Sequence, residues 1–113
     1  MYHYKLKDIR VIDGDTIECL IDLGCSIFIR RIMRLYKINA PEMHGPTLQA
    51  AIATTNRLKQ LIMSSITVYG KTILDKSDKY GRLLVVLYSS EDLNQKSFND
   101  ILLEEKLCVP YEV

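Results

Sequence analysis

The sequence predicts an α+β fold that is mainly β, a small barrel of five strands with two helices in the order βββαββα. Short runs in which apolar and polar residues alternate predict the strands, and Gly, Asp and Asn between the runs predict turns. The apolar period lengthens to that of a helix after the third strand, and a capping pattern near the end predicts a second, short helix.

Length and composition predict one globular domain over residues 1–113. Apolar residues make up 48% of the chain and charged residues 26%, the profile of an ordinary soluble protein. No apolar leader opens the sequence, and no stretch approaches the roughly 20 apolar residues of a membrane span, so we expect a cytoplasmic protein. Because the formal net charge is only +1, binding of an anion requires a local basic patch.

The cysteines argue against two classes of small protein. Cys19, Cys25 and Cys108 are odd in number and contain no CxxC pair, so the sequence predicts neither a disulfide framework nor a zinc site. We expect three buried or half-buried thiols.

Alternation of apolar and polar residues sets the strands. It predicts strands over residues 4–12, 16–23, 27–38, 65–74 and 83–88. An Asp-Gly pair at positions 13 and 14 predicts the first turn. Five strands with a helix inserted after the third is the layout of the OB-fold, a Greek-key barrel that often binds oligonucleotides on one face.

Both helices have recognisable starts. Gly45 and Pro46 suit the first turn of a helix whose apolar residues recur at helical spacing from Leu48 onward. Ser97, followed three residues later by Asp100, resembles a capping box that opens a short helix ending near residue 107.

Side-chain parity along the third strand separates core from surface. Met33 and Leu35 are expected to point into the barrel, which directs Arg34 outward. Arg31 shares the inward parity, so we expect a bulge or the open end of the barrel near it.

Asp13 to Thr16, with the sequence DGDT, form the first candidate site. A hairpin turn is the plain interpretation, because Asp-Gly is a common turn signal and Asp and Thr side chains tie turns together. The functional interpretation is a ligand for a hard cation, because carboxylates on a tight turn can point at one ion. An EF-hand is excluded, since the twelfth position counted from Asp13 is Gly24 instead of a bidentate Glu.

The loop NAPE, residues 39–42, supplies further oxygen donors. Asn39 offers an amide oxygen, Ala40 a backbone carbonyl and Glu42 a carboxylate, while Pro41 stiffens the loop. In isolation the same residues are also typical of an ordinary turn with a solvated Glu42.

Two arginines complete the set of candidates. Arg34 lies on the third strand and Arg82 opens the fifth, and guanidinium groups on rigid strands suit a phosphate. Lys79 and Tyr80 add a charge and a ring for a nucleotide. Each arginine alone is equally consistent with a surface ion pair.

Five segments in this order resemble the staphylococcal nuclease (thermonuclease) family, in a short form of the kind met in bacteria and bacteriophages. The segments are VIDGDTIECLIDLG, MRLYKINAPE, GPTLQAAIATTNRLKQL, DKYGRLLVVLY and SFNDILLEEKLCVPY. Together they cover nearly the whole chain, from about Lys7 to Tyr111. The resemblance implies an OB-type barrel and calcium-dependent hydrolysis of DNA and RNA between phosphorus and the 5′ oxygen, which leaves 3′-phosphate ends.

The resemblance also implies a role for each candidate. Asp15 ligates calcium, together with Asn39 and the backbone carbonyl of Ala40. Arg34 and Arg82 bind the scissile phosphate, and Glu42 orients or deprotonates the attacking water. The remaining implied residues contact the nucleotide: Lys79, Tyr80 and Tyr111.

Several positions depart from the family pattern. Asn39 stands where Asp is expected, so we expect a weaker calcium site. Ala40 stands where Thr is expected, which should matter less if only the backbone carbonyl coordinates. Lys106 replaces a Gly at the end of the last helix, which we expect to strain or shift the helix terminus. The sequence stops at Val113 without the further helix of longer members, so we expect a bare flank on the barrel that suits a homodimer or a protein partner.

Two functional interpretations follow. The first is a calcium-dependent nuclease of little sequence preference, since Asp15, Arg34, Glu42 and Arg82 are all present. The second is a catalytically weak or inactive module that binds single-stranded nucleic acid or a protein, for which Asn39 is the best argument.

Overall fold

The computed structural model describes residues 2–73, 83–90 and 95–111, with the side chain of Tyr2 excepted. Its strands are β1 (Tyr2–Asp13), β2 (Thr16–Asp22), β3 (Phe28–Leu35), β4 (Ile38–Asn39), β5 (Val68–Ile73), β6 (Leu83–Tyr88) and β7 (Val109–Pro110). Its helices are α1 (Leu48–Met63), preceded by a 3₁₀ turn at Gly45–Thr47, and α2 (Phe98–Glu104).

The five longer strands close into a barrel in the order β1-β2-β3-β6-β5. Neighbouring strands are antiparallel except β3 and β6, which run parallel. The predicted OB-type barrel with two helices is therefore confirmed. Its interior is filled by fully buried side chains from the strands and from α1, namely Ile17, Cys19, Met33, Leu35, Leu58, Val85 and Leu87.

The predicted third strand is shorter than expected because the chain turns inside it. β3 ends at Leu35, and Lys37 adopts a left-handed φ of 62° before β4 begins. β4 leaves the barrel and pairs with β7 instead, with Ile38 opposite Pro110 and Asn39 opposite Val109. This break gives residues 39–42 their own direction, independent of β3.

Parity along β3 agrees with the prediction. Met33 and Leu35 are fully buried, and Arg34 between them is partly exposed. The pairing of β2 with β3 is regular from Thr16 to Asp22, so there is no bulge near Arg31 in this pair. Within the described residues, β6 pairs with residues 33–35 of β3, and an open end of the barrel near Arg31 stays a prediction.

Asn99 of α2 ties the second helix to the barrel. This buried amide accepts a hydrogen bond from the Leu87 N–H at 3.2 Å and donates to the Tyr36 and Val85 carbonyls at 3.0 and 3.2 Å. Buried polar groups need such partners, so Asn99 fixes the turn that separates β3 from β4.

The thiols differ from one another. Cys19 and Cys108 are buried as expected, and burial raises the pKa of each to about 12. Cys25 is exposed, so the expectation of burial was wrong there, because Cys25 sits in the β2–β3 connection with a left-handed φ of 55°. Within the described ranges, no helix has the length and apolar character to cross a bilayer.

The end of α2 carries the strain expected from its sequence. Lys106 has a φ of 60°, and the helix ends at Glu104 instead of near residue 107. The Leu107 N–H donates to the Leu102 carbonyl at 3.0 Å, as in a helix stop that glycine normally provides.

We predict that Lys106→Gly raises the free energy of unfolding by about 0.5–1 kcal/mol, because glycine adopts positive φ without steric cost. Urea denaturation measures the change. Lys59→Gly, in the middle of α1, is the matched control and should lower stability by about 1 kcal/mol. Lower stability of Lys106→Gly would contradict a strained terminus.

Candidate active site

The turn between β1 and β2 places Asp15 at one end of the barrel. The Asp15 N–H donates to Asp13 Oδ1 at 3.1 Å, and Thr16 Oγ1 donates to Asp15 Oδ1 at 3.1 Å. Asp13 and Thr16 thus tie the turn together, as the plain interpretation predicts. The other oxygen of Asp15, Oδ2, faces away from the turn.

Asp15 connects this turn to the NAPE loop. Its Oδ2 accepts a hydrogen bond from the Ala40 N–H at 3.0 Å, across 25 residues of sequence. The Asp15 carbonyl also accepts from the Leu35 N–H at 2.8 Å. The first and second candidate segments therefore meet in space.

Arg34 joins the same cluster from β3. It pairs in register with Thr16 on one side and Leu84 on the other, so its backbone is fixed by two neighbouring strands. Its Nη2 lies 3.1 Å from Asn39 Oδ1 and 3.7 Å from Asp15 Oδ2. The side chains of Arg34 and Asp15 are only 12% and 13% exposed, so solvent screens this pair less than a surface ion pair.

Tyr111 covers Arg34. The guanidinium carbon lies 4.6 Å from the centre of the Tyr111 ring, and the Tyr111 N–H donates to the Lys37 carbonyl at 2.9 Å. The ring thus holds the cation in place through a cation–π contact, while remaining exposed to solvent.

Glu42 lies on the loop after Pro41, with its carboxylate directed to solvent. Its Oε2 is 3.2 Å from Nε2 of His44, and both side chains are more than three-quarters exposed, at 76% and 79%. The Glu42 carbonyl accepts from Thr47 Oγ1 at 2.7 Å, which anchors the loop to the turn before α1. Among the described residues, the ion-pair partner of Glu42 is His44, and no hydrogen bond or ion pair joins the Glu42 carboxylate to Asp15 or Arg34.

Three predicted site residues lie outside the described residues: Lys79, Tyr80 and Arg82. The described chain resumes at Leu83, whose partner in the barrel is Met33, one residue before Arg34.

The electrostatics of the turn favour a cation. Burial raises the pKa of Asp13, and the side chain and negative charge of Asp15 add to the rise, while the hydrogen bond from the Asp15 N–H opposes it. A bound positive ion would favour the charged form of Asp13 beside the Asp15 carboxylate.

The donors gathered here are oxygen atoms, which is the chemistry that calcium requires. The Asp15 carboxylate and the Asn39 amide oxygen meet beside Arg34, while Ala40 contacts Asp15 through its N–H. Each oxygen has two lone pairs, so an existing hydrogen bond does not exclude a cation. The residues therefore fit calcium, although within the described ranges no group of three His, Cys, Asp or Glu side chains could hold a metal ion.

Gly14 and Thr54 have positioning roles that sequence reasoning missed. Thr54 lies on α1, is fully buried, and its Oγ1 donates to the Leu107 carbonyl at 2.7 Å. A Cβ on Gly14 would lie 2.6 Å from Thr54 Cγ2 and 2.8 Å from the Ala40 Cβ. Gly14 thus permits the close approach of the turn, α1 and the loop, a contact between distant segments that no local pattern reveals.

Comparison with known protein families gives a match over most of the chain. A family model described as staphylococcal nuclease homologue matches residues 32–113, which is more than half of the chain. The matched range contains Arg34 and residues 39–42, whereas Asp15 precedes it. No curated protein matches the chain.

We predict that Gly14→Ala lowers the free energy of unfolding by about 1–3 kcal/mol, because the methyl group overpacks the contact with Thr54 and Ala40. Thermal unfolding measures the loss. Adding Thr54→Ser to this variant removes Cγ2 but keeps the hydroxyl, and should recover part of the lost stability. Equal stability of Gly14→Ala and the unmodified protein would show that the three segments are not in close contact.

Proposed function

The chain belongs to the staphylococcal nuclease family, and from that membership we propose that it is a calcium-dependent endonuclease. As a phosphodiesterase it hydrolyses DNA, RNA or both with little sequence preference, and leaves 3′-phosphate ends. The observation that carries the proposal is the cluster of Arg34, Asp15 and the NAPE loop, in which a fixed cation lies beside a set of oxygen donors.

Arg34 is the residue proposed to bind the scissile phosphate. Its backbone is fixed on both sides in the barrel, and its low exposure strengthens its attraction for an anion. A planar guanidinium can donate two parallel hydrogen bonds to phosphate oxygens. The interaction strengthens as negative charge develops on the phosphoryl group, so it lowers the barrier to hydrolysis.

Glu42 is the proposed general base. Its carboxylate is exposed and next to His44, so it is accessible to the water that attacks phosphorus. It takes one proton from that water as the water oxygen bonds to phosphorus. The bond from phosphorus to the 5′ oxygen breaks, and the leaving 5′ oxygen takes up a proton from solvent. Arg82 is proposed to share the phosphate with Arg34, while Lys79, Tyr80 and Tyr111 contact the nucleotide.

Asp15, Asn39 and the Ala40 carbonyl are the residues proposed to hold calcium. When bound, the ion supplies positive charge beside the reacting phosphate. We also propose that the protein acts in the cytoplasm, or in the host cytoplasm if it is encoded by a phage. A homodimer or protein partner remains a prediction from the sequence.

One observation favours a second function, a module that binds single-stranded nucleic acid or a protein with weak or no catalysis. Asn39 brings an amide where a carboxylate would bind calcium more strongly, and its Oδ1 already accepts a hydrogen bond from Arg34 at 3.1 Å. Asp15 is then the single carboxylate in the proposed ligand set.

We predict cleavage of labelled single-stranded DNA in millimolar calcium, and none with a chelator. Glu42→Gln should slow turnover by about 10²–10⁴-fold through loss of the base. Arg34→Ala and Arg82→Ala should each slow it by on the order of 10²–10³-fold through loss of phosphate stabilisation. Product ends are identified by treatment with a 3′-phosphatase.

Matched controls change the same residue types elsewhere on the surface. Glu104→Gln removes a carboxylate from α2, and Arg10→Ala removes an exposed guanidinium from β1. Both should keep full activity. Intact DNA at high protein concentration, together with a retained gel shift, would support the binding module instead.

We predict that Asn39→Asp increases calcium affinity, because a charged oxygen replaces a neutral one in the ligand set. Isothermal titration calorimetry measures the dissociation constant, and Asn56→Asp on the exposed side of α1 is the control. If calcium affinity does not rise while the fold is intact, residue 39 does not face the ion.

A further inference from the structure

A second aromatic and basic surface lies at the other end of the barrel. A cavity of about 580 Å³ is lined there by His3, Tyr4, Lys5, Tyr69, Lys71 and Tyr88. Asp22, at the end of β2, also lines it. Asp22 lies seven positions after Asp15 along β2, which corresponds to roughly 23 Å at the rise of a strand.

The strand register aligns the key side chains of this surface. Lys5 is paired with Tyr69, and Tyr69 with Tyr88, so one row crosses β1, β5 and β6. His3 is paired with Lys71 in a neighbouring row. Directly opposed residues of neighbouring strands have Cβ atoms roughly 4.5–5.5 Å apart, so the two tyrosine side chains are adjacent.

These rows face outward from the barrel. The next pair along, Leu6 with Val68, is buried and therefore faces the core. Because parity alternates along a strand, Lys5 and Tyr69 point the other way. Tyr69 and Tyr88 are half-buried, so each presents part of its ring to a ligand.

The charge of this surface suits a polyanion. Within the described part of the chain, neither Lys5 nor Lys71 has an acidic partner at ion-pair distance. The one acid lining the cavity, Asp22, already accepts a hydrogen bond from the Gly24 N–H at 2.9 Å as part of a turn. Two unneutralised ammonium groups beside adjacent aromatic rings are the elements that bind single-stranded nucleic acid through phosphates and stacked bases.

We propose that the surface formed by Lys5, Tyr69, Lys71 and Tyr88 is a second binding site for single-stranded nucleic acid, separate from the Asp15–Arg34 cluster. This second site rests on the proposed function, because nucleic acid is the substrate proposed there. Bases stack on the two tyrosines and the lysines contact flanking phosphates. The site retains a strand while the distant cluster acts on it.

Because the two sites are separated, the contribution of the second site to binding depends on the length of the substrate. A strand of about four nucleotides can occupy one site, whereas on the order of ten or more are needed to occupy both. Removing the second site should therefore weaken the binding of long substrates and leave the binding of short ones unchanged.

The binding test uses the full chain carrying Glu42→Gln, so that the ligand is not cleaved, and fluorescence anisotropy with labelled single-stranded 20-mer and 4-mer DNA. Adding Lys5→Gln and Lys71→Gln should weaken binding of the 20-mer. It should also lower the magnitude of the slope of log affinity against log salt by about 1.4, because two phosphate contacts are lost. Tyr69→Ala should weaken binding of the 20-mer by about 5- to 100-fold, the range expected for loss of one stacked base.

Three controls separate binding from folding. Lys59→Gln with Lys106→Gln removes the same charge elsewhere and should leave the affinity unchanged. Tyr69→Phe keeps the ring and should bind like the parent. Far-ultraviolet circular dichroism of each variant monitors the fold.

The outcomes distinguish this inference from the proposed function. If the unmodified chain binds the 20-mer through these residues but cleaves nothing, the second site stands and the nuclease proposal fails. If the chain cleaves DNA, but the lysine and tyrosine variants keep the parent's 20-mer affinity and kcat/KM, the second site is wrong. Displacement of the labelled 20-mer by poly-glutamate at lower concentration than by unlabelled DNA would also overturn it.

Discussion

The hydrogen bond from the Ala40 N–H to Asp15 Oδ2, at 3.0 Å, is the contact on which the candidate site depends. It joins the β1–β2 turn to a loop that leaves the barrel after β3, and so brings donors from two separate segments together. Gly14 allows the approach by carrying no side chain, and α1 supports it through Thr54. Arg34 then lies against both segments because β3 pairs with β2 in register.

This arrangement balances charge in a partly buried place. Asp15 is next to Asp13, whose pKa is raised by burial and by Asp15, and Arg34 at 3.7 Å offsets part of the negative charge. A neutral Asn39 reduces the repulsion that a further carboxylate would add. A neutral amide also attracts a cation less than a carboxylate does, and Asn39 Oδ1 instead accepts a hydrogen bond from Arg34 at 3.1 Å.

Sequence reasoning found the barrel strands and both helices because these leave local signals. Alternation placed the barrel strands, and Asp15, Arg34 and residues 39–42 were identified by residue type. It missed features set by distant contacts: the turn at Lys37, the pairing of β4 with β7, and the space that Gly14 leaves for α1. The exposure of Cys25 and the pairing of Glu42 with His44 were also missed, since neither follows from periodicity.

The central claim is that the turn at Asp15 and the loop at Asn39 and Ala40 form one calcium site beside Arg34. Two-dimensional nitrogen–proton NMR of the labelled protein, titrated with calcium, tests it most directly. We predict that the largest shifts occur at the amides of Asp15, Asn39 and Ala40, while those of Tyr69 and Lys71 stay in place. Unchanged amides at all three site positions in millimolar calcium would contradict the claim.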